Sequence, residues 1–446
     1  MTTPILDFLR AYGEGDTARF HMPGHKGRGP LGCEALDITE IAGADVLSHA
    51  TGIIAESEEN ATALFGTAHS FFSTEGSTLA IRAMLALALA DAKTGARPLV
   101  LAARNAHRAF MSAVALLDAS VCWLEGKEDE HLCAATVTKE DVAAALGENP
   151  DAAAVYLTSP DYLGNIADIA GISSVCHAAG VPLLVDNAHG AYLAFLQENR
   201  HPIALGADMC ADSAHKTLPV LTGGAYLHIS KNAPAEYASR AREMLALFAS
   251  TSPSYLILAS LDAANAALDG GYPARIATAA LRLATVRETA EKRGFACVGD
   301  EPLKLTLDAT PLGYTGGTLA DYLRSEKIEC EYADERYLVL MASADNDDAD
   351  FARLARALGT LPVRTPLTLA PPPARGEREA VLSIRDAMLA RAERVPLARA
   401  LGRIAAAPTV SCPPAVPILV CGERIDAPAL DLLSYYGIEE IDVVAE

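Results

Sequence analysis

Lys216 lies in the run Asp212-Ser213-Ala214-His215-Lys216-Thr217, directly after an apolar stretch and before Leu218-Pro219. A lysine that sheds its proton attacks an aldehyde, so a lysine at the exit of a buried strand is a candidate for covalent catalysis. Taken alone, it reads more simply as a surface lysine. Three other features bear on it. Asp186 closes the apolar run Pro182-Leu183-Leu184-Val185. A carboxylate there needs a cation or hydrogen-bond donors. A protonated pyridine nitrogen would serve, and the pair would keep that ring an electron sink. The other readings are a helix cap or, with Asn187 and His189 nearby, a metal ligand; no further ligands complete a metal site, so none is expected. Gly76-Ser77-Thr78 open a helix, where backbone N–H groups, the helix dipole and two hydroxyls suit a phosphate. His107 follows a strand and can stack its imidazole on a flat ring, or serve as an ordinary loop histidine.

Apolar runs at 97–102, 153–157, 182–185, 208–211 and 225–229 are separated by helical stretches, notably 169–179. Short buried strands alternating with helices predict an α/β fold with a mostly parallel sheet in a large domain. Ligands in such sheets sit beyond the carboxyl ends of the strands, where His107, Ser159, Asp186 and Ser213 fall. The spacing over 77–92 is helical, with a serine or threonine at its start. Beyond Gly270, strands at 303–307, 328–331 and 337–341 and a helix at 319–326 predict a smaller β-α-β-β unit. Residues up to about Leu31 read as an arm, with glycine and proline breaking any helix across His21-Met22-Pro23-Gly24-His25-Lys26-Gly27. A proline-rich connector at 362–375 precedes a helix at 377–394 and a short C-terminal segment. The expected domains are an arm at 1–40, a large domain at 41–270, a small α+β domain at 271–360, and a connector with a C-terminal segment at 361–446.

The chain of 446 residues is 51% hydrophobic and 21% charged, enough to bury a sizeable core. Its net charge of −21 would repel nucleic acid. No apolar run reaches the ~20 residues of a membrane span; the alanine-rich stretch at 79–90 continues into Asp91 and Lys93. The N-terminus lacks the pattern of a signal peptide. Nine dispersed cysteines without a C-x-x-C pair suit reduced thiols. The expectation is a cytoplasmic protein acting on a small molecule, with neither nucleic acid nor membrane as partner.

In this chain order, Gly76-Ser77-Thr78, His107, Asp186 and Lys216 resemble the fold-type-I pyridoxal-phosphate enzymes, the aspartate-aminotransferase-like fold. The S-x-H-K form at Ser213 to Lys216 is more similar to decarboxylases and desulfurases than to aminotransferases. A closer resemblance, to the Orn/Lys/Arg decarboxylase family, is carried by Arg19-Phe20-His21-Met22-Pro23-Gly24-His25-Lys26-Gly27, Arg104-Asn105-Ala106-His107, Asp186-Asn187-Ala188-His189-Gly190-Ala191 and His215-Lys216-Thr217-Leu218-Pro219. Thr251-Ser252-Pro253-Ser254-Tyr255, Arg394-Val395-Pro396-Leu397 and Gly402-Arg403-Ile404 add to it. It runs over about 15–430 and is similar to the short bacterial type without an N-terminal wing domain.

The resemblance implies pyridoxal 5'-phosphate held as a Schiff base on Lys216, with Asp186 pairing with the ring nitrogen. His107 would stack on one ring face and Ala188 would lie under the other. Gly76, Ser77, Ser213 and His215 would surround the phosphate, and Thr78 and His189 count among the cofactor-binding residues. It also implies a homodimer or larger assembly, with Ser252 and the His21 to Lys26 loop contributed to the neighbouring subunit's site. Departures from the family pattern are Glu75 in place of asparagine, Ser411-Cys412-Pro413-Pro414-Ala415, and Val420-Cys421-Gly422-Glu423. The expected activity is decarboxylation of arginine, lysine or ornithine, of the kind that feeds polyamine synthesis. Lys216 or His215 would return the proton, and on charge alone Glu423 or an acidic residue near Glu331 and Asp334 would hold the distal cation. The alternatives are an aminotransferase or desulfurase on the same fold, or a catalytically impaired protein that keeps the cofactor pocket.

Overall fold

Val185 and its neighbours on a fully buried strand show why the apolar runs are short: each crosses a core covered on both faces. The structure is a computed structural model and describes all residues except 91–96, 126–130, 135, 374–375, 377 and 411–415, and the side chains of 409 and 410. The family departure at Ser411 to Ala415 and the end of the helix expected over 77–92 lie outside the described residues. The chain divides into two units. The first comprises Met1–Asp91, Ile169–Thr278 and Ser343–Asp345, and the second Ala92–Asp168, Ala279–Ala342 and Asn346–Glu446.

Seven strands, with helices between them, make the mostly parallel sheet of an α/β fold. The first unit supplies β1 (His69–Ser73), β5 (Leu183–Asp186), β6 (Met209–Asp212) and β7 (Ala225–Ile229), in the order β1-β7-β6-β5. The second supplies β2 (Leu99–Ala103), β3 (Ser120–Leu124) and β4 (Ala154–Thr158), in the order β4-β2-β3. β5 runs parallel to β6, and β2 runs parallel to both β3 and β4. β7 is antiparallel to β6 and to β1, so β1 points the same way as β5 and β6.

The expected run 225–229 coincides with β7, and those at 97–102, 153–157, 182–185 and 208–211 each meet a strand within two residues. β1 and β3 were not expected, because His69-Ser70-Phe71-Phe72-Ser73 and Ser120-Val121-Cys122-Trp123-Leu124 mix polar and apolar residues. In the second unit, β8 (Ala296–Val298), β9 (Lys304–Asp308), β10 (Tyr332–Ala333) and β11 (Tyr337–Met341) form an antiparallel sheet in the order β10-β11-β9-β8. The strand expected at 328–331 is a correction. Lys327 ends the preceding helix in the left-handed region, and pairing with β11 begins only at Tyr332.

One further element was not anticipated, and one further expectation is corrected. The arm contains helix α1 (Pro4–Glu14), which buries Ile5 and Leu9. Thr3 supplies no side-chain cap; instead the buried Asp262, on the helix Tyr255–Asp269, accepts from the N–H groups of Ile5 and Leu6 at 3.0 Å each. The α1 N-terminus is thus satisfied by a carboxylate distant in sequence. The helix expected over 377–394 is only Ile384–Leu389. Ser383 caps it by accepting from the Asp386 N–H, and Ala392–Pro396 pairs as a strand with Glu440–Val444.

Candidate active site

Three parallel strands of the first unit end at one edge of its sheet. Ser73 at the end of β1 faces Ala225, the first residue of β7, and Asp212 at the end of β6 faces Tyr226. Asp186 ends β5 opposite Ala211. That edge therefore carries the β1–helix turn with Gly76, Ser77 and Thr78, the Asp186–His189 segment, and the Ser213–Lys216 turn.

Helix α2 (Ile53–Phe65) precedes β1, and α3 (Gly76–Leu89) follows it. The α3 N-terminus has no side-chain cap at Glu75. Ser213 Oγ donates to Ser77 Oγ at 2.8 Å, and the Gly76 N–H donates to the Gly223 carbonyl at 2.8 Å. Gly223 has φ +100°, and a Cβ there would come within 3.0 Å of the Thr74 carbonyl oxygen, so only glycine closes this turn. The sequence offered that signal in the Gly223-Gly224 pair before β7. Glu75, an awkward charge beside a phosphate, is turned elsewhere: its Oε1 accepts from the Ser250 N–H at 2.7 Å.

Lys216 sits on the single helical turn Ala214–Thr217, whose start is fixed by β6. The His215 N–H and Nδ1 both bond the Gly224 carbonyl, at 3.2 and 3.0 Å. A carbonyl only accepts, so Nδ1 carries a proton and the neutral ring keeps Nε2 bare. Burial pushes the His215 pKa below its ordinary value, and the Lys216 charge adds to that. Asp186 is 2% exposed, and its Oδ1 accepts from the Ala188 N–H at 3.2 Å. His189 is buried and Ala188 half-buried in the same segment, whereas Ser252 is exposed on the loop after Ser250.

Behind this edge lies a network that sequence reasoning missed. Asp212, fully buried, accepts from Asn187 Nδ2 at 2.8 Å, Cys210 Sγ at 3.2 Å and His201 Nε2 at 2.9 Å. His228 Nε2 lies 3.3 Å from the same carboxylate without alignment as a hydrogen bond, and its Nδ1 is paired with Ser70 Oγ. Burial alone would raise the Asp212 pKa, but attraction to His201 and then His228 outweighs it and holds the carboxyl below the ordinary range. His201, Cys210 and Asp212 stand close enough to hold a metal ion, yet hydrogen bonds already account for the carboxylate. The network ties Asn187, next to Asp186, to the residue before Ser213. Its members lie up to 158 residues apart, so no local spacing announces it.

His107 belongs to the second unit, where it caps α4 (Arg108–Leu117) by accepting from the Ala109 N–H at Nδ1, 3.1 Å. Its neutral ring therefore carries the proton on Nε2. The acidic residues expected at the distal end of a substrate are also in this unit. Glu423 is not available: both of its oxygens bond Arg104 Nη2 at 3.0 Å in a buried pair. Glu331 and Asp334 line a cavity of about 860 Å³. Asp334 there holds His131 and the Tyr332 hydroxyl at 2.6 Å each, and Glu331 accepts from the Tyr162 hydroxyl at 2.7 Å.

Family comparison decides the class. The model of the Orn/Lys/Arg decarboxylase major domain matches residues 3–306, and that of the family's C-terminal domain matches 376–441. The chain belongs to the Orn/Lys/Arg decarboxylase family. It is 32% identical to an arginine decarboxylase of Halalkalibacterium halodurans, over 95% of this chain and 91% of that one. It is 31% identical to the uncharacterized protein YaaO of Bacillus subtilis, over 97% and 94%. The lysine decarboxylase LdcF of Francisella novicida superposes with a TM-score of 0.82 at 17% identity, covering 99% of this chain and 81% of that structure. This decarboxylase-family chain thus has the fold-type-I architecture and is a pyridoxal-phosphate-dependent carboxy-lyase. Among the described residues, no helix is long and apolar enough to cross a membrane.

The residues at the first unit's sheet edge fit the cofactor that the family implies. An uncapped helix start with two paired hydroxyls suits a phosphate, a buried carboxylate suits a ring N–H, and a lysine stands at the same edge.

Proposed function

We propose that this enzyme decarboxylates a basic amino acid (arginine, lysine or ornithine) to the amine and carbon dioxide, with pyridoxal phosphate bound through Lys216. The observation that carries this reading is the delivery of Lys216, Asp186 and the α3 turn to one edge by β6, β5 and β1. When bound, the cofactor supplies a carbonyl for covalent attachment of the substrate amine and a ring that accepts the electron pair left by the carboxylate. Asp186 favours the protonated ring nitrogen. The family resemblance assigns His107 to one ring face and Ala188 to the other, and counts His189 among the cofactor-binding residues. Gly76, Ser77, Thr78 and Ser213 orient the phosphate. Lys216 Nζ is the group that returns a proton to the substrate α-carbon. His215, neutral and bare at Nε2, is better suited to accept a hydrogen bond than to act as that acid. Carbon dioxide release measured across the amino acids, with amines identified by mass, tests the reading. Release from arginine, lysine or ornithine is expected. Release from none of the three contradicts it, and dependence on added keto acid or sulfide formation from cysteine would point to transamination or desulfuration.

We also propose that two copies share their sites. Phe20, Met22 and Leu31 on the arm are 96%, 68% and 81% exposed, an apolar surface that a second copy would cover. Ser252, exposed on a polar loop, would reach the neighbour's cofactor. Co-refolding inactive Lys216→Ala with a defective Ser252→Ala is expected to restore activity, up to about a quarter of that of the intact enzyme, because one mixed site in each mixed dimer is intact. Full activity in a diluted monomer would refute sharing.

A further inference from the structure

The C-terminal domain grips one helix of the second unit at both ends. Helix α4 begins at His107 and ends near Leu117. Just ahead of it, Arg104 Nη2 donates to both oxygens of Glu423, with the two side chains 4% and 5% exposed. At the other end, Arg385 Nη1 donates to the Ala115 and Leu116 carbonyls at 2.8 and 3.3 Å, satisfying acceptors that the helix leaves open. Arg97 also reaches both Asp118 and Asp386, at 3.0 and 3.1 Å. Those three groups are half exposed, and such pairs contribute little. The buried pair is the informative contact.

Its geometry is set from the C-terminal side. Glu423 Oε2 also accepts from the Val420 N–H at 2.8 Å, and the Gly422 N–H donates to the Ala405 carbonyl at 2.8 Å. Gly422 has φ +93°, and a Cβ there would sit 2.2 Å from the Leu382 carbonyl oxygen, so the turn that presents Glu423 requires glycine. On the other side, the Arg104 N–H donates to the Leu124 carbonyl at 3.3 Å, and its guanidinium lies 5.0 Å from the centre of the Trp123 ring. Buried ion pairs add little net stability over apolar replacements, while removal of one partner is costly. What such a pair supplies is a fixed geometry.

We propose that Glu423 is a positioning residue: through Arg104, the C-terminal domain clamps the loop that carries His107 and so sets the pose of that imidazole. This rests on the reading of His107 as the ring-stacking residue. Neither Arg104 nor Glu423 touches the reacting atoms in this account.

Trp123 is the chain's single tryptophan, which makes its emission a direct report on the Arg104 site in full-length, cofactor-free protein. The test compares Glu423→Gln, the double variant Arg104→Met with Glu423→Leu, and His107→Ala, by Trp123 emission, urea midpoint, visible cofactor absorbance and Kd for pyridoxal phosphate. Glu423→Gln is expected to shift the emission and weaken pyridoxal phosphate about three- to ten-fold, the size of one lost stacking contact. The double variant, with no buried charge left unpaired, is expected to keep a near-normal urea midpoint and still bind the cofactor as weakly as His107→Ala. It also keeps the test open should Glu423→Gln fold poorly. Normal cofactor affinity in the double variant, with weakened affinity in His107→Ala, overturns the clamp alone. Unchanged affinity in His107→Ala overturns both the clamp and the stacking role on which it rests.

Discussion

Lys216→Ala is expected to lower decarboxylation by at least about 10³–10⁴-fold while leaving the fold and non-covalent cofactor binding in place. General acid–base assistance alone contributes roughly 10²–10⁴-fold, and loss of the covalent anchor adds to it. The fold should survive because Lys216 is only partly buried on a single helical turn. The hydrogen bonds that define this turn belong to the backbone and to His215 and Ser213, and alanine keeps them. Cofactor should still bind through the α3 turn. Steady-state carbon dioxide release and equilibrium dialysis with pyridoxal phosphate check both halves. Turnover within ten-fold of the parent enzyme would remove Lys216 from the chemistry.

Asp186→Asn is expected to reduce turnover by about 10²–10³-fold, the scale of losing one preorganised electrostatic group, with a far smaller effect on folding. The amide is the same size as the carboxyl, and its oxygen can still accept from the Ala188 N–H, as Oδ1 does now. What it lacks is the negative charge that favours a protonated ring nitrogen. The urea midpoint should therefore change little while kcat collapses. Near-normal kcat would make Asp186 structural, and a collapse of both quantities would show that the buried carboxylate mainly holds the fold.

The parts that could be read from the chain are those that depend on neighbours in sequence. The runs that became β2, β4, β5, β6 and β7 are apolar and bounded by polar residues, so the strands and the end of each were visible, and with them the edge where Asp186 and Lys216 stand. Partnerships across the chain were not visible. Helix α1 was missed because its cap is Asp262 rather than Thr3. The helix over 377–394 was overextended because its composition is helical, while pairing with Glu440–Val444 draws its end into a strand. Glu423 was assigned to a substrate cation from charge alone; its partner is Arg104, 319 residues away. Glu75 looked misplaced beside a phosphate until the Ser250 N–H accounted for its carboxylate. The Asp212 network follows the same rule: Asn187, His201 and Cys210 converge only once β5 and β6 pair.

Lys216 is proposed as the cofactor's covalent attachment point, and the roles of the other site residues depend on it. The most direct measurement is borohydride reduction of the protein loaded with pyridoxal phosphate, followed by digestion and mass mapping of the labelled peptide. The predicted result is a single pyridoxyl label, on Lys216 in Ser213-Ala214-His215-Lys216-Thr217, with no label in Lys216→Ala. A label on another lysine, or no covalent label in protein that binds the cofactor, would contradict it.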